Sequence, residues 1–263
     1  MLFRRVFFCA LAVGLCAGLF HSVIQRLQVV PIIAAAEVFE AALQASPPSH
    51  DHAPGTPAHT HDEDAWEPQA GFERIFWTVI ANLLVSTGFA LVLLPALALW
   101  DSTQPRGPGV SIRTGLVWGA LGWMCVHVWP ALGLPPELPG EAGAPLAARQ
   151  VWWVFAVACA IVGVAVPCLV RSPWRWLGLM LLPVPFIVGA PHATTAPFAA
   201  FNADAAAQMV ALKARFAIAT AIASGAHWLA LGALSPIAVR RWLRPLLVTT
   251  NGPAGQLAGT HSE

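Results

Sequence analysis

Histidine is the side chain in this sequence with the clearest capacity for metal chemistry, and four of its nine copies fall in one short segment. The segment HDHAPGTPAHTHDEDAW, residues 50–66, contains His50, His52, His59 and His61. In an extended chain, side chains two residues apart point the same way, so each His-x-His pair can close on one ion. Imidazole and carboxylate together suit divalent Co, Ni, Cu and Zn without choosing among them. The segment is therefore predicted to bind such an ion, with a plain solvated linker as the competing interpretation.

Four more histidines lie in or beside long apolar runs, namely His21, His127, His192 and His227. An ionisable side chain inside a membrane is costly, so its presence there indicates a function by default. This argument is strongest for His227, near the middle of its run, whereas His21 and His192 lie at the outer ends of theirs and could equally be interfacial anchors. All four are predicted metal ligands on a route that continues from the His-rich segment.

One carboxylate joins this set of candidate ligands. The segment LGLPPELPG, residues 132–140, contains three prolines, which hold the backbone near an extended form. Glu137 is then fixed rigidly just outside an apolar run. It is predicted to be a carboxylate at the mouth of the metal route, and a stiff connector without a metal role is the alternative.

No motif in the sequence indicates an enzyme. The chain contains neither the phosphate-binding G-x-x-x-x-G-K-[ST] nor the zinc-protease H-E-x-x-H. No nucleophile is accompanied by an evident acid or base. The chain is therefore predicted to be no enzyme, to carry no resident cofactor and to have no nucleic-acid partner.

The elements that must position these residues are predicted from composition. Of 263 residues, 57% are hydrophobic and 10% are charged, against roughly 25% charged residues in soluble domains. A helix needs roughly 20 apolar residues to cross a hydrocarbon layer about 30 Å thick. The prediction is an all-α, polytopic membrane helix bundle forming one domain, residues 1–245. Its six expected spans are residues 6–25, 75–100, 114–134, 150–170, 176–191 and 216–239.

The orientation is predicted from Lys and Arg, because positive charge is retained on the cytoplasmic side. With the N-terminus inside, nine of the fourteen Lys and Arg residues lie inside and eleven of the thirteen acids lie outside. Both termini are then cytoplasmic, and the His, Asp and Glu-rich segment 46–71 is an outer loop. This Pro and Gly-rich loop is expected to be flexible, and the polar tail 246–263 to be disordered.

Several motifs together resemble one known family. They are LGLPPELPG, RQVWW at 149–153, GAPH at 189–192 and FRRVFFCALAVGLCAGLFHSVIQ at 3–25. This combination resembles the CbtA family of proposed cobalt transporter subunits over nearly the whole chain. The resemblance implies a multi-pass protein of the bacterial inner membrane, associated with cobalamin and paired with a small single-span partner, CbtB. The positions that match are Pro135, Pro136, Glu137, Gly140, Trp152, Trp153, Pro191 and His192.

The sequence thus predicts a membrane subunit of an uptake transporter for a divalent transition metal. Co(II) is the expected ion, with Ni(II) and Zn(II) as alternatives, and the outer loop would collect ions for a path lined by histidines. The predicted partners are the lipid bilayer, the metal ion and a CbtB-like subunit. The rival prediction is a membrane-anchored metal buffer or sensor that hands metal to a separate permease.

Overall fold

Helices make up most of the chain that the structure describes. The computed structural model describes residues 2–45, 68–103 and 109–246, and no strand occurs in these ranges. His50, His52, His59 and His61 lie outside them, as do nearly all of the predicted outer loop and tail. The α-helices are α1 Leu2–Gln28, α2 Val30–Ala45, α3 Phe72–Ser102, α4 Ile112–Trp123, α5 Trp129–Ala131, α6 Leu146–Leu169, α7 Val184–Val188 and α8 Ala203–Ala238.

Four helical segments are long and apolar enough to cross a membrane. They are Leu2–Gln28, Phe72–Ser102, Leu146–Leu169 and Ala203–Leu246, the last of which continues α8 through a π-helical turn at Val239–Leu243. These segments contain or overlap the first, second, fourth and sixth predicted spans. The prediction of an all-α, polytopic membrane protein is confirmed.

The stretches predicted as the third and fifth spans are less regular. In the third, a π-helical turn at Met124–Val128 separates α4 from the short α5. In the fifth, a 3-10 helix at Pro173–Leu181 is followed by α7, because prolines at its junctions cannot donate backbone hydrogen bonds. This apolar stretch is shorter than the four long helices. The number of six spans, the domain bounds and the orientation stay predictions.

Side-chain caps set where α4 and α8 begin. The Ser111 hydroxyl oxygen accepts a hydrogen bond from the Thr114 N–H at 3.1 Å. The Asn202 side-chain oxygen accepts one from the Ala205 N–H at 2.9 Å. Each cap satisfies a backbone donor that the first helical turn leaves without a partner. The caps fix the start of the two helices that pack most closely in the second half of the chain.

Two pairs of helices pack with their backbones nearly touching. In the first helix pair, α1 and α3, a Cβ at Gly14 would lie 2.4 Å from the Thr87 Cα. In the second helix pair, α4 and α8, a Cβ at Gly115 would lie 2.1 Å from the Gly232 carbonyl oxygen. Gly18 lies four residues after Gly14, and Gly119 four residues after Gly115. These two glycines extend the contact in each pair. Small residues at this spacing are how membrane helices approach closely, so each pair is expected to behave as one stiff unit.

The buried apolar residues fall into two groups, with polar side chains between them. The Leu94 core joins α1, α3, α8 and the π-helical turn after α8; its largest fully buried members are Leu94, Leu97, Leu231, Val239 and Leu243. The Met209 core joins α2, the loop before α6, the loop after α7 and the first half of α8. Ser22, Ser86 and His227 are buried at intermediate levels of the bundle. A polar layer is therefore enclosed between two apolar ones.

Candidate functional site

His21 on α1 and His227 on α8 lie against each other inside the bundle. Their ring centroids are 4.8 Å apart, with an angle of 37° between the ring planes. His227 is 5% exposed, and its Nε2 lies 2.7 Å from the hydroxyl oxygen of Ser86 on α3. Three helices therefore each supply one polar side chain to a single buried place. We call these three residues the His-pair site.

The surroundings of His21 determine which ring nitrogen carries its proton. Nδ1 of His21 lies 3.2 Å from the carbonyl oxygen of Ala223. A carbonyl oxygen can only accept, so Nδ1 is the donor and Nε2 of the neutral ring carries the lone pair. Metal-binding histidines commonly donate their other N–H to a carbonyl in this way, which orients the ring. His21 is thus arranged to act as a ligand through Nε2.

The nitrogen that His227 leaves for a ligand depends on its tautomer, because the Ser86 hydroxyl can either accept or donate. When its Nε2–H donates to the Ser86 hydroxyl, the lone pair of the neutral ring is on Nδ1. Two imidazoles that bind one ion at about 2.1 Å have ring centres roughly 5 Å apart. The separation of the two rings agrees with that value. The two rings therefore have the spacing of imidazoles that share one ion.

Small residues bring the three helices together at this point. A Cβ at Gly18 would lie 3.0 Å from the Ser86 hydroxyl oxygen and 3.0 Å from the Leu83 Cα. Because Gly18 has no side chain, α3 approaches α1 closely enough for Ser86 to reach across to His227. Ala223 and His227 are four residues apart on α8 and so lie on one face of it. That face presents both the carbonyl that orients His21 and the second ring.

A short polar ladder continues from the His-pair site along the seam between α1 and α3. The Asn82 side-chain nitrogen donates to the Ser22 hydroxyl at 3.1 Å and to the Gln25 side-chain oxygen at 2.7 Å. Asn82 is one helical turn from Ser86, and Ser22 is next to His21. We call Ser22, Gln25 and Asn82 the polar ladder. It places polar side chains beside the His-pair site, on the side of the bundle toward Gln25.

The polar ladder opens into a pocket of about 400 Å³ between α1, α2 and α3. Ser22 and Gln25 line the pocket, together with Arg26. Glu37 and Arg74 also line it and form an ion pair, with Arg74 Nη1 3.1 Å from Glu37 Oε2. The pocket lies on the side of the bundle predicted to face outward. Polar side chains therefore lie between this pocket and the His-pair site.

The His-pair site lies near the middle of the bundle. At a helical rise of about 1.5 Å per residue, Ser86 is about 18 Å along α3 from Arg74 and about 22 Å from Asp101. His21 is at the same level as His227, because their rings touch. The sequence analysis placed His21 at the outer end of its span and His227 deeper. The structure differs since α1 continues beyond His21 to Gln28 and is followed directly by α2.

His127 and Glu137 meet elsewhere, in a second pocket of about 650 Å³. His127 lies on the π-helical turn, with its ring stacked on Trp123 at 6.4 Å between centroids and 9° between planes. Glu137 forms an ion pair with Arg149, which also lines this pocket. The structure thus brings these two predicted ligands together, but apart from the His-pair site.

His192 stands alone within the described ranges. It lies in the irregular segment after α7 and is exposed. In the part of the chain that the structure describes, no hydrogen bond or ring contact joins it to another predicted ligand, and no three His, Cys, Asp or Glu side chains cluster as a metal site. A bound ion would therefore have two imidazoles at the His-pair site and would complete its coordination with water or neutral oxygens.

Two residues of the polar ladder, Ser22 and Gln25, were missed by the sequence analysis. Asn82 and Ser86 are recognisable as polar side chains inside an apolar run. The spacing on α1 gives a signal: Gly18, Ser22 and Gln25 recur at intervals of four and three, which places them on one helical face. Asn82 and Ser86 share a face of α3 by the same rule. Matching these two polar faces would have indicated the seam.

The fold and this site define a multi-pass helical membrane protein with a polar, imidazole-containing centre buried between its helices. The chain belongs to the CbtA family: residues 3–240 match the family model described as probable cobalt transporter subunit (CbtA). No curated protein and no solved structure matches the chain. The resemblance predicted from the sequence motifs is confirmed. The family description points to a subunit of a cobalt transporter, and a subunit implies a partner.

Proposed function

We propose that this chain forms the membrane route of an uptake transporter for a divalent transition metal, with Co(II) as the cargo, in a bacterial inner membrane. Ions enter the pocket beside Glu37 and Arg74, pass the polar ladder and bind transiently between His21 and His227. Transporters commonly bind their substrate near the middle of the bilayer. The chain's partner in the transporter would be a small single-span CbtB-like subunit.

The orientation of His21 is the observation that carries this proposal. The Ala223 carbonyl accepts a hydrogen bond from Nδ1–H of His21 and leaves the lone pair on Nε2, which is the arrangement of a metal-binding histidine. Ligation by two neutral imidazoles suits a transport site, because binding must be weak enough for the ion to leave. Co, Ni and Zn all accept imidazole, so the geometry favours the class of ion and the family favours cobalt.

The other predicted ligands have places in this proposal. His50, His52, His59 and His61 collect ions outside the membrane and raise their local concentration. His127 and Glu137 remain candidate ligands in the second pocket, where Arg149 must first release the carboxylate. His192 remains a candidate for a surface contact.

The test is radioactive cobalt accumulation by cells that express this chain, with and without a CbtB-like partner. Uptake above the empty-vector level in at least one case is expected, and no uptake in either case contradicts the transport function. Binding of cobalt by the purified protein without uptake would instead support the membrane-anchored buffer or sensor. Nickel and zinc are measured as competitors to rank the cargo.

A deletion of residues 50–64 tests the collecting role in the same assay. A collector raises the local supply without forming the route, so its loss should raise the half-saturating cobalt concentration and leave the maximal rate unchanged. A loss of maximal rate would show that the segment belongs to the route itself. Replacing the same residues with a Gly and Ser-rich linker of equal length controls for the shortened connection.

A further inference from the structure

The two stiff helix pairs meet along a seam, and the His-pair site lies across it. His21 and Ser86 belong to the first helix pair, whereas His227 belongs to the second. Each pair is held by glycine contacts that leave no space for even a methyl group. Movement between the pairs is therefore easier than movement within them. A separation along this seam would directly change the access to the two rings.

The two sides of the His-pair site differ along this seam. Toward the predicted outside, the polar ladder and its pocket lead away from the rings. Toward the predicted cytoplasm, the seam is filled by the Leu94 core, in which Leu94, Leu97 and Leu231 are fully buried. The structure thus has polar access on one side and a dry, packed layer on the other.

An ion pair lies beyond the packed layer and crosses the same seam. Asp101, near the end of α3, lies 3.5 Å through Oδ2 from Nε of Arg244, which follows α8. The Asp101 side chain is 4% exposed, and its Oδ1 accepts the N–H of Val110 at 2.7 Å. Three other ion pairs of the described residues do not join the two helix pairs. Arg74 with Glu37 joins α3 to α2, Glu137 with Arg149 lies beside α6, and Lys213 with Glu141 joins α8 to the loop before α6.

A glycine in front of α4 encloses this ion pair. Gly109 has φ of +91°, a region that side chains rarely adopt, and a Cβ there would lie 2.2 Å from Nη1 of Arg244. The backbone at Gly109 and Val110 therefore closes over both members of the pair. Separating a buried pair leaves an uncompensated charge, which is strongly unfavourable unless water can enter.

We propose that Asp101 and Arg244 form the cytoplasmic gate of the transport route, and that the ion is released when the two helix pairs separate at this end of the seam. This inference rests on the proposed transport function for its cargo, but the gate itself can be tested without metal. The Leu94 core is the barrier, and the ion pair holds that barrier closed. Opening the gate exposes the Leu94 core to water from the cytoplasmic side.

Cys9 is a native reporter for this opening. It is buried in the Leu94 core on α1. In a chain whose other cysteines are replaced by alanine, Cys9 is treated with a membrane-impermeant maleimide in inside-out vesicles. The Asp101→Asn variant should be labelled about tenfold faster or more than the chain with Asp101 intact, because it removes the ion pair that joins the two helix pairs at this end of the seam. Gly109→Ala should act in the same direction by displacing Arg244.

Two controls separate a gate from a general loss of structure. Glu37→Gln makes the same type of change in the ion pair at the opposite end and should leave Cys9 labelling unchanged. A second chain that retains only Cys125, buried at the π-helical turn, should remain protected with Asp101→Asn. Labelling of both cysteines would show that the ion pair maintains the fold, which overturns the gate. Unchanged Cys9 labelling in Asp101→Asn and Gly109→Ala, with full labelling after denaturation, also overturns it.

The gate and the transport function can fail separately in these measurements. Faster Cys9 labelling in a chain that accumulates no cobalt supports a gate in a protein with another cargo. Cobalt uptake with unchanged Cys9 labelling removes the gate and retains the transporter.

Discussion

At the scale of single residues, one half-buried and one buried histidine each contact a different neutral oxygen. The Ala223 carbonyl holds His21 through Nδ1, and the Ser86 hydroxyl contacts His227 through Nε2. Sequence analysis could identify both histidines because imidazole within an apolar run is unusual. It could not identify their contact, since His21 and His227 are far apart in the sequence and belong to helices whose rotation depends on packing. The glycines that determine this packing were not interpreted as contacts.

Amide substitutions can separate the structural role of each histidine from metal binding. Asparagine at position 21 places an N–H near the position of His Nδ1, and glutamine at position 227 places one near Nε2, so His21→Asn and His227→Gln should keep the contacts with Ala223 and Ser86. Each variant lacks the nitrogen proposed to bind metal. Since losing even an outer partner of a ligating histidine costs about 10–100-fold, the apparent cobalt affinity in uptake should fall by more than about tenfold.

The matched control for these variants is His192→Asn, which changes an exposed histidine outside the His-pair site. It should transport like the unsubstituted chain, and all three variants should reach the membrane in similar amounts and melt at similar temperatures. Normal uptake kinetics in His21→Asn and His227→Gln would remove the ring pair from the route.

At the scale of helices, the long apolar runs were predictable, and their interruptions were not. Length and hydrophobicity are sufficient to identify α1, α3, α6 and α8, because each must satisfy its backbone internally in lipid. The π-helical turn at Met124–Val128 depends on a single extra residue accommodated in a turn, which leaves no periodic signal. The prolines did indicate the irregular stretch around α7. The spacing of Gly14 with Gly18, and of Gly115 with Gly119, contained more information than hydropathy alone uses.

The close contact between α1 and α3 predicts opposite effects for two glycine substitutions. Gly14→Ala places a Cβ 2.4 Å from the Thr87 Cα, and such overpacking typically costs about 1–3 kcal/mol. Gly88→Ala lies on α3 with nothing within 4 Å of the added atom, and alanine is favoured over glycine in a helix by up to about 1 kcal/mol. Thermal unfolding in detergent should therefore show a lower melting temperature for the first variant and an equal or higher one for the second. Equal destabilisation by both would argue against the close contact of α1 with α3.

At the scale of the whole molecule, the sequence predicted the class of protein and the family more completely than the site. Membrane-spanning helices need long apolar runs, which are visible in the sequence. A binding site depends instead on which polar helix faces meet in the fold. The predicted ligands fall into separate places: His21 with His227, His127 with Glu137, and His192 at the surface. His21 lies at the level of His227 and not above it in a row of histidines, because α1 extends past it to Gln28.

The polar ladder and the His-pair site contain no acid, which has an electrical consequence. No Asp or Glu occurs in residues 6–25, 75–100 or 216–239, which include the polar ladder and the His-pair site. A divalent ion held there by neutral groups keeps both of its charges. Each charge gains about 2.3 kcal/mol per 100 mV when it moves toward a negative interior. Two charges then gain about 4.6 kcal/mol, which corresponds to more than about a thousandfold in concentration.

The membrane voltage would therefore be sufficient to drive accumulation, without a nucleotide or a second ion. Clamping the voltage at zero with valinomycin and equal potassium on both sides should abolish concentrative cobalt uptake while leaving equilibration intact. Uptake that continues against a gradient at zero voltage would contradict this. With voltage as the driving force, each Co(II) ion that enters without a counter-ion is an inward current of two charges.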